Sequence, residues 1–385
     1  MQIGQTIYFD YQASTPLAPE VSAAMQRVRQ NSFANPHSTQ HILGRQSASE
    51  IDQARKSIED VIGAAPEEII FTSGATEANN QAIASVMFGD TSGRKKVLIS
   101  AIEHKCIKNA AYFYAQKLGY VVEEIPVLAS GIIDMQAYKS MLSEQVLLVS
   151  IMAVNNEIGT IQHVSKLASL AHDYGALFHC DAAQAPEAID IDVKAWNVDM
   201  LSLSAHKVYG PKGIGALFMK NSLQAELPPL INGGGQQAGM RSGTLPTELC
   251  VGFATALTLC KQWAKDRRPR LKELRDYFVT ELTESDIDFQ INGHVHYRHP
   301  GNLNIQLPGC NASELLTTME PYVCATTGSA CNSEMLLPSH VLKSIGLSDE
   351  EATSSIRFSL GRYTSYAQID AIVEKLSVSI KSLCV

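Results

Sequence analysis

No stretch of this 385-residue chain is apolar for long enough to cross a membrane as a helix. The longest, residues 146–154, is interrupted by Ser150, and a spanning helix needs about 20 residues. The opening MQIGQTIYFDYQ has no basic start and no apolar run after it, so no secretory leader is expected. Excess positive charge is also missing. Lys plus Arg is 31 against 39 for Asp plus Glu, a net charge of -8, so direct nucleic-acid binding is not expected. The 25 glycines and 15 prolines are too few for a collagen-like or largely disordered chain. Close cysteine pairs are absent as well. Cys106, Cys180, Cys250, Cys260, Cys310, Cys324, Cys331 and Cys384 form no CxxC, so neither a zinc site nor a disulfide scaffold is indicated. The expectation is a cytoplasmic protein with reduced, mostly buried cysteines, no bound metal, and room for one reactive thiol.

What is present is enough apolar sequence for a large core. Hydrophobic residues make up 45% of the chain, and its length corresponds to roughly two or three domains. There is no tandem repeat and no low-complexity tail. Short apolar runs alternate with segments of helical periodicity. A strand is expected over 6–9 and helices over 20–30 and 47–62. Strands then recur at EEIIFT, KKVLIS, VVEEIPV, VLLVSIMAV, ALFHCD, VDMLSLS and GIGALFMK, most of them followed by helical sequence. Such alternation predicts an α/β fold with a mostly parallel sheet. Residues 249–278 look helical, and their basic segment KDRRPRLK reads as solvated helix surface. A smaller α/β unit follows. The large domain is placed at residues 16–260, and the smaller one combines 1–15 with 261–385.

Polar residues cluster just after the apolar strands: Thr76, His104, Asn156, Asp181, Gln184, Ser204, His206 and Lys207. In an open α/β sheet these positions form the ligand-binding edge. Taken singly, each is an ordinary cap or surface residue. Repeated at successive strand ends, they ask for a common ligand. FTSGATEANN offers a glycine turn and the amides of Ala75 and Thr76 at a helix start, a cradle for an anion. It is neither GxxxxGK[ST] nor GxGxxG, so ATP and dinucleotide sites lack their motifs. A carboxylate directly after a strand, Asp181, needs a positive or protonated partner. A lysine in a pocket, Lys207, can form a Schiff base. Phosphate cradle, carboxylate and lysine together match what pyridoxal phosphate requires.

The motifs YFDYQASTPLAPEV, FTSGATEANN, EHK, VNNEIGTIQ, HCDAAQA, SLSAHKVYGPKGIGAL, GGGQQAGMRSGTLPT, TTGSACNSE and SIRFSLGRYTS run in this order through nearly the whole chain. In that order they resemble the cysteine desulfurases of the class V, fold-type I aminotransferase superfamily. The resemblance implies pyridoxal 5′-phosphate as cofactor and conversion of L-cysteine to L-alanine. It implies that Lys207 holds the cofactor and later moves protons. Asp181 would pair with the pyridine nitrogen and His104 would stack on the ring. Gln184 and Asn156 would face the ring hydroxyl or the substrate, although Asn155 is adjacent and the sequence does not choose between them. Ala75, Thr76, Ser204 and His206 would cradle the phosphate, with Thr244 reaching the site of a neighbouring subunit in a homodimer. Arg357 would hold the substrate carboxylate through the planar fork of its guanidinium. Cys331, in the GSAC core, would take the sulfur as a persulfide and pass it to an acceptor protein.

Two details depart from the housekeeping iron–sulfur type. The loop reads TTGSACNS rather than SSGSACTS, and the opening reads YQAST rather than YAATT. The second resembles desulfurases that supply sulfur for DNA phosphorothioate modification, so iron–sulfur assembly, tRNA thiolation and DNA phosphorothioation all stay open as pathways. Alternative activities are a selenocysteine lyase or cysteine-sulfinate desulfinase. A true aminotransferase is disfavoured by GSAC. A non-catalytic sulfur-trafficking or assembly protein is the reading from a different class.

Overall fold

The structure is a computed structural model and describes residues 1–327 and 338–383. Its centre is a seven-stranded sheet. In spatial order the strands are Ile69–Thr72, Gly215–Met219, Met200–Ser204, Leu177–Asp181, Val146–Ser150, Lys96–Ser100 and Val121–Ile125. Gly215–Met219 is antiparallel to both of its neighbours, and the remaining pairings are parallel. The sequences IIFT, VLLVS, MLSLS and GALFM are buried at every residue. That is why IIFT, VLLVS and GALFM read as nearly continuous apolar runs, whereas MLSLS alternates with serines that are buried too: helices cover both faces.

Helix Ala75–Gly89 is buried nearly all round from Ala78 to Met87, polar Asn79, Gln81 and Ser85 included, and helix Lys105–Leu118 packs along it. On the opposite face lie helices Pro19–Asn31 and Ile42–Ile62 and the first part of Thr247–Glu284. Helix Ile42–Ile62 begins five residues before the expected start. His41 extends it, because its ring accepts a hydrogen bond from the Gly44 amide and so acts as an N-cap.

The second core is built from both ends of the chain. Ile7 and Phe9 join Leu271, Phe278, Leu303, Phe358 and Ile369 in one apolar cluster. Phe278 meets Phe9 with ring centroids 5.9 Å apart and Phe358 at 5.2 Å, both edge to face. Two three-stranded sheets support it. One pairs Asn302–Gln306 with Gln290–Ile291 and Ser355–Ser359, and the other sets Thr6–Tyr8 between Gln2–Ile3 and Val323–Cys324.

Thr247–Glu284, a single 38-residue helix, runs through both cores. Pro269 lies inside it and removes one amide from the helical ladder between the two packed halves. KDRRPRLK is in this stretch and is not uniformly solvated as expected. Arg267 is buried, donates to Glu187 Oε1 at 2.7 Å and stacks between the rings of Tyr209 and Trp263. The apolar edges of a guanidinium pack well on aromatic faces, so a charged sequence can form an interior contact. A small cluster of Ile102, Met152 and Ile158 with Val341, Leu342 and Ile345 returns the segment after residue 337 to the ligand edge of the large sheet.

Candidate active site

A cavity of about 570 Å³ opens at the carboxyl ends of the large sheet's parallel strands. It brings together Ala75, Thr76, His104, Asn156, Asp181, Gln184, Ser204, His206, Lys207 and Arg357. Every described residue expected at the site lines it except Thr244, which is exposed on the segment before helix Thr247–Glu284. Cys331 lies outside the described residues.

Asp181 is the last residue of its strand and is buried. Its Oδ2 accepts from Asn79 Nδ2 at 2.7 Å and its Oδ1 from the Ala183 amide at 2.9 Å. Both of its oxygens are thus hydrogen-bonded although buried, and an acidic group here suits a protonated ring nitrogen. Two residues earlier on the strand, His179 is held between Ser150 Oγ at 2.9 Å and Ser202 Oγ at 3.0 Å. Burial pushes its imidazole down to about 4, so behind the site lies a neutral polar row rather than a second charge.

Lys207 sits in the short turn after strand Met200–Ser204. Its ammonium donates to the carbonyls of Gln12 at 2.6 Å and Ala13 at 2.9 Å. The same early segment holds the turn from the other side. The Thr15 amide donates to the His206 carbonyl at 2.9 Å, and the Tyr209 amide donates to Thr15 Oγ1 at 2.7 Å. Gln184 donates to the Gln12 carbonyl at 2.9 Å. One backbone carbonyl thus positions two of the expected site residues.

The anion end is built on the start of helix Ala75–Gly89. Gly74 is its N-cap and offers no side-chain cap, so the first amides of the helix are left for a ligand. Gly74 and Gly215 approach so closely that a Cβ on Gly215 would lie 2.7 Å from the Gly74 Cα. Ser204, His206 and Lys212 line the same cavity. Burial, and then the charges of Lys207 and Lys212, push His206 down to about 4, so it offers a neutral ring beside two lysines.

Asn156, not Asn155, faces the cavity. The Asn155 side chain is consumed locally. Its Oδ1 accepts from the amides of Glu157 at 2.8 Å and Ile158 at 2.9 Å, and its Nδ2 donates to the Ile102 carbonyl at 2.9 Å. It closes the turn that presents its neighbour. Arg357 comes from strand Ser355–Ser359 of the smaller unit and donates to the Asn156 carbonyl at 2.6 Å and to Asp10 Oδ1 at 2.5 Å. Its Nε has no hydrogen-bond partner among the described residues. A buried arginine held on two sides with donor capacity left over is prepared for an incoming carboxylate.

His104 caps helix Lys105–Leu118, and burial lowers its pKa below the ordinary imidazole range. Its neighbour Glu103 is fully buried. Desolvation, and then the charge of Asp181, hold that carboxyl well above the usual carboxylate range, and its Oε1 accepts from the Met152 amide at 2.6 Å. Glu157 also lines the cavity. Burial pushes it up to about 7, and its Oε2 accepts from Ser339 Oγ at 2.5 Å.

Sequence reasoning missed Gln12, Asn79, Cys106, Glu157 and His340. Asn79 and Cys106 carried a signal, a polar side chain on an otherwise apolar helix face and a cysteine two residues after His104. Gln12 acts mainly through its backbone carbonyl, which leaves no mark on residue type. The donor set fits pyridoxal 5′-phosphate: helix amides free for a phosphate, a buried, hydrogen-bonded carboxyl group for the ring nitrogen, and a lysine amine in the same cavity.

The profile of the family described as Aminotransferase class-V matches residues 7–372. The chain is 40% identical over 377 residues to "Cysteine desulfurase IscS" of Rickettsia bellii (strain OSU 85-389), covering 98% of this chain and 92% of that one. Among solved structures, a "NIFS-LIKE PROTEIN" superposes with a TM-score of 0.91 at 29% identity, over 98% of this chain and 100% of the other. The structure described as "SspA in complex with cysteine" is 39% identical, with a TM-score of 0.82 over 94% of this chain and 100% of that one.

Proposed function

The chain belongs to the class-V aminotransferase family and, within it, to the cysteine desulfurases, and we propose that the cavity lined by Lys207, Asp181, His104 and Arg357 is its active site. The protein takes the sulfur of L-cysteine as a persulfide and leaves L-alanine, using pyridoxal 5′-phosphate. When bound, the cofactor supplies an electron sink that labilises the substrate α-proton and then weakens the bond from the β-carbon to sulfur. The convergence of Asp181, Lys207 and the open helix start on one cavity is the observation that carries this site assignment.

The chain's own residues divide the work. Arg357 binds the substrate carboxylate and fixes which way the amino acid enters. Asn156, beside Arg357, and Gln184 orient the reacting groups. Lys207 moves a proton at its Nζ. His104, held neutral by burial, accepts or returns one at its imidazole. Ala75, Thr76, Ser204 and His206 hold the phosphate. Cys331 receives the sulfur and carries it to an acceptor protein.

We assign a homodimer on the same reading. Thr244 is exposed and outside its own cavity, as a residue serving a neighbouring subunit's phosphate should be. The division into 16–260 against 1–15 plus 261–385 is also proposed, supported by the two apolar cores and by the proline inside the helix that joins them.

The test is alanine and sulfide release from L-cysteine with a thiol reductant, wild type beside Cys331→Ala, with visible spectra of both. Two yellow proteins of which only the wild type turns over are expected. Alanine release by the variant at the wild-type rate would replace the persulfide route with a lyase.

A further inference from the structure

A second thiol stands in the same cavity. Cys106 lines it as the second residue of helix Lys105–Leu118, and its Sγ lies 3.0 Å from His104 Nδ1. The Cys106 backbone amide also points at that nitrogen and donates to it at 3.2 Å. A nitrogen that accepts from an amide carries no proton of its own, so the imidazole proton resides on Nε2. The nearby thiol then has an acceptor for its own hydrogen. From its other side the sulfur accepts from Asn79 Nδ2 at 3.1 Å. The same Nδ2 is 2.7 Å from Asp181 Oδ2. The contacts form a continuous chain from Asp181 through Asn79 and Cys106 to His104.

We propose that Cys106 is a positioning residue. Its amide and thiol hold His104 as the Nε2-protonated tautomer, and its sulfur ties that ring through Asn79 to the carboxylate of Asp181. The inference rests on the active-site reading above and deepens it, by specifying which His104 nitrogen is left to work in the cavity. Cys106 is not a second sulfur carrier. Burial, and then the charge of Asp181, push its thiol up to about 12, so the thiolate needed for attack is scarce at neutral pH.

The experiment is nitrogen NMR of the holoenzyme labelled with 15N-histidine, near neutral pH and without substrate, with the His104 signals identified by their loss in His104→Gln. Wild type should show an unprotonated Nδ1 and a protonated Nε2. In Cys106→Ala the Nδ1 signal should move, and kcat should fall about five-fold with KM within about two-fold, the size expected of one modest hydrogen bond. Cys106→Ser keeps a donor and should restore both readouts. A protonated Nδ1 in the wild type overturns the proposal whatever the variants do. So does an alanine variant with unchanged signal and turnover, or an equal loss in alanine and serine, which would mark a packing role. If the tautomer is as stated but His104→Gln turns over like wild type, the active-site role of His104 fails while the structural assignment stands.

Discussion

Arg357 Nη2 lies 2.5 Å from Asp10 Oδ1, a contact between residues 347 positions apart. It joins the last strand of the smaller unit to the segment leading into the large one, and it fixes the guanidinium before substrate arrives. Lysine has one point charge where arginine has a planar fork. Arg357→Lys is therefore expected to raise KM for L-cysteine by roughly ten- to a hundred-fold while kcat changes by less than about five-fold. Steady-state alanine release checks this, and a KM within two-fold of wild type would remove Arg357 from substrate binding.

Asn79 is fully buried in the helix behind Asp181 and supplies one of its two described side-chain hydrogen bonds. Hydrogen bonds to a charged group contribute about 1.5–3 kcal/mol. Asn79→Ala should weaken cofactor retention by about ten-fold or more, read as loss of the yellow band on dialysis, and Asp181→Ala should weaken it further. Retention equal to wild type in Asn79→Ala would show that Asp181 serves the cofactor without this support.

Glu157 titrates at about 7 in the folded protein because burial favours its protonated form. Its ordinary value is 4.5, so the folded state binds the extra proton between those values. The stability it confers is complete below about 4.5 and is lost as pH rises through about 7. His179 and His206, both pushed down to about 4, act in the opposite sense, favouring the fold as pH rises. They are common to wild type and Glu157→Gln, so they cancel in the comparison. The Tm of Glu157→Gln minus that of wild type should therefore increase between about pH 5 and pH 8. A difference that stays flat would place the Glu157 titration at its ordinary pH.

The sheet and most site residues were legible because their signals are local. Apolar runs marked the buried strands, and Asp181 and Lys207 were conspicuous as polar residues immediately after such runs. The choice between Asn155 and Asn156 was not legible, since it depends on which amide closes a turn. Nor was the start of helix Ile42–Ile62, because histidine is an unusual cap. Arg267 looked solvated because its partners, Glu187 and Tyr209, are far away in sequence. The anchors of Lys207 are backbone carbonyls almost 200 residues upstream, and any residue type supplies a carbonyl.

The core shared by the two chain ends has a consequence for synthesis. Ile7 and Phe9 leave the ribosome long before the apolar partners they need, which span Leu271 to Leu376. The seven strands of the large sheet lie within residues 69–219 and can pair much earlier. The opening strand must therefore wait, with its apolar side chains uncovered, while most of the chain is made. That interval exposes it to misassociation, and holding such a segment apart is the work of chaperones. A newborn chain stalled before its final hundred residues would carry a folded sheet and an orphaned first strand.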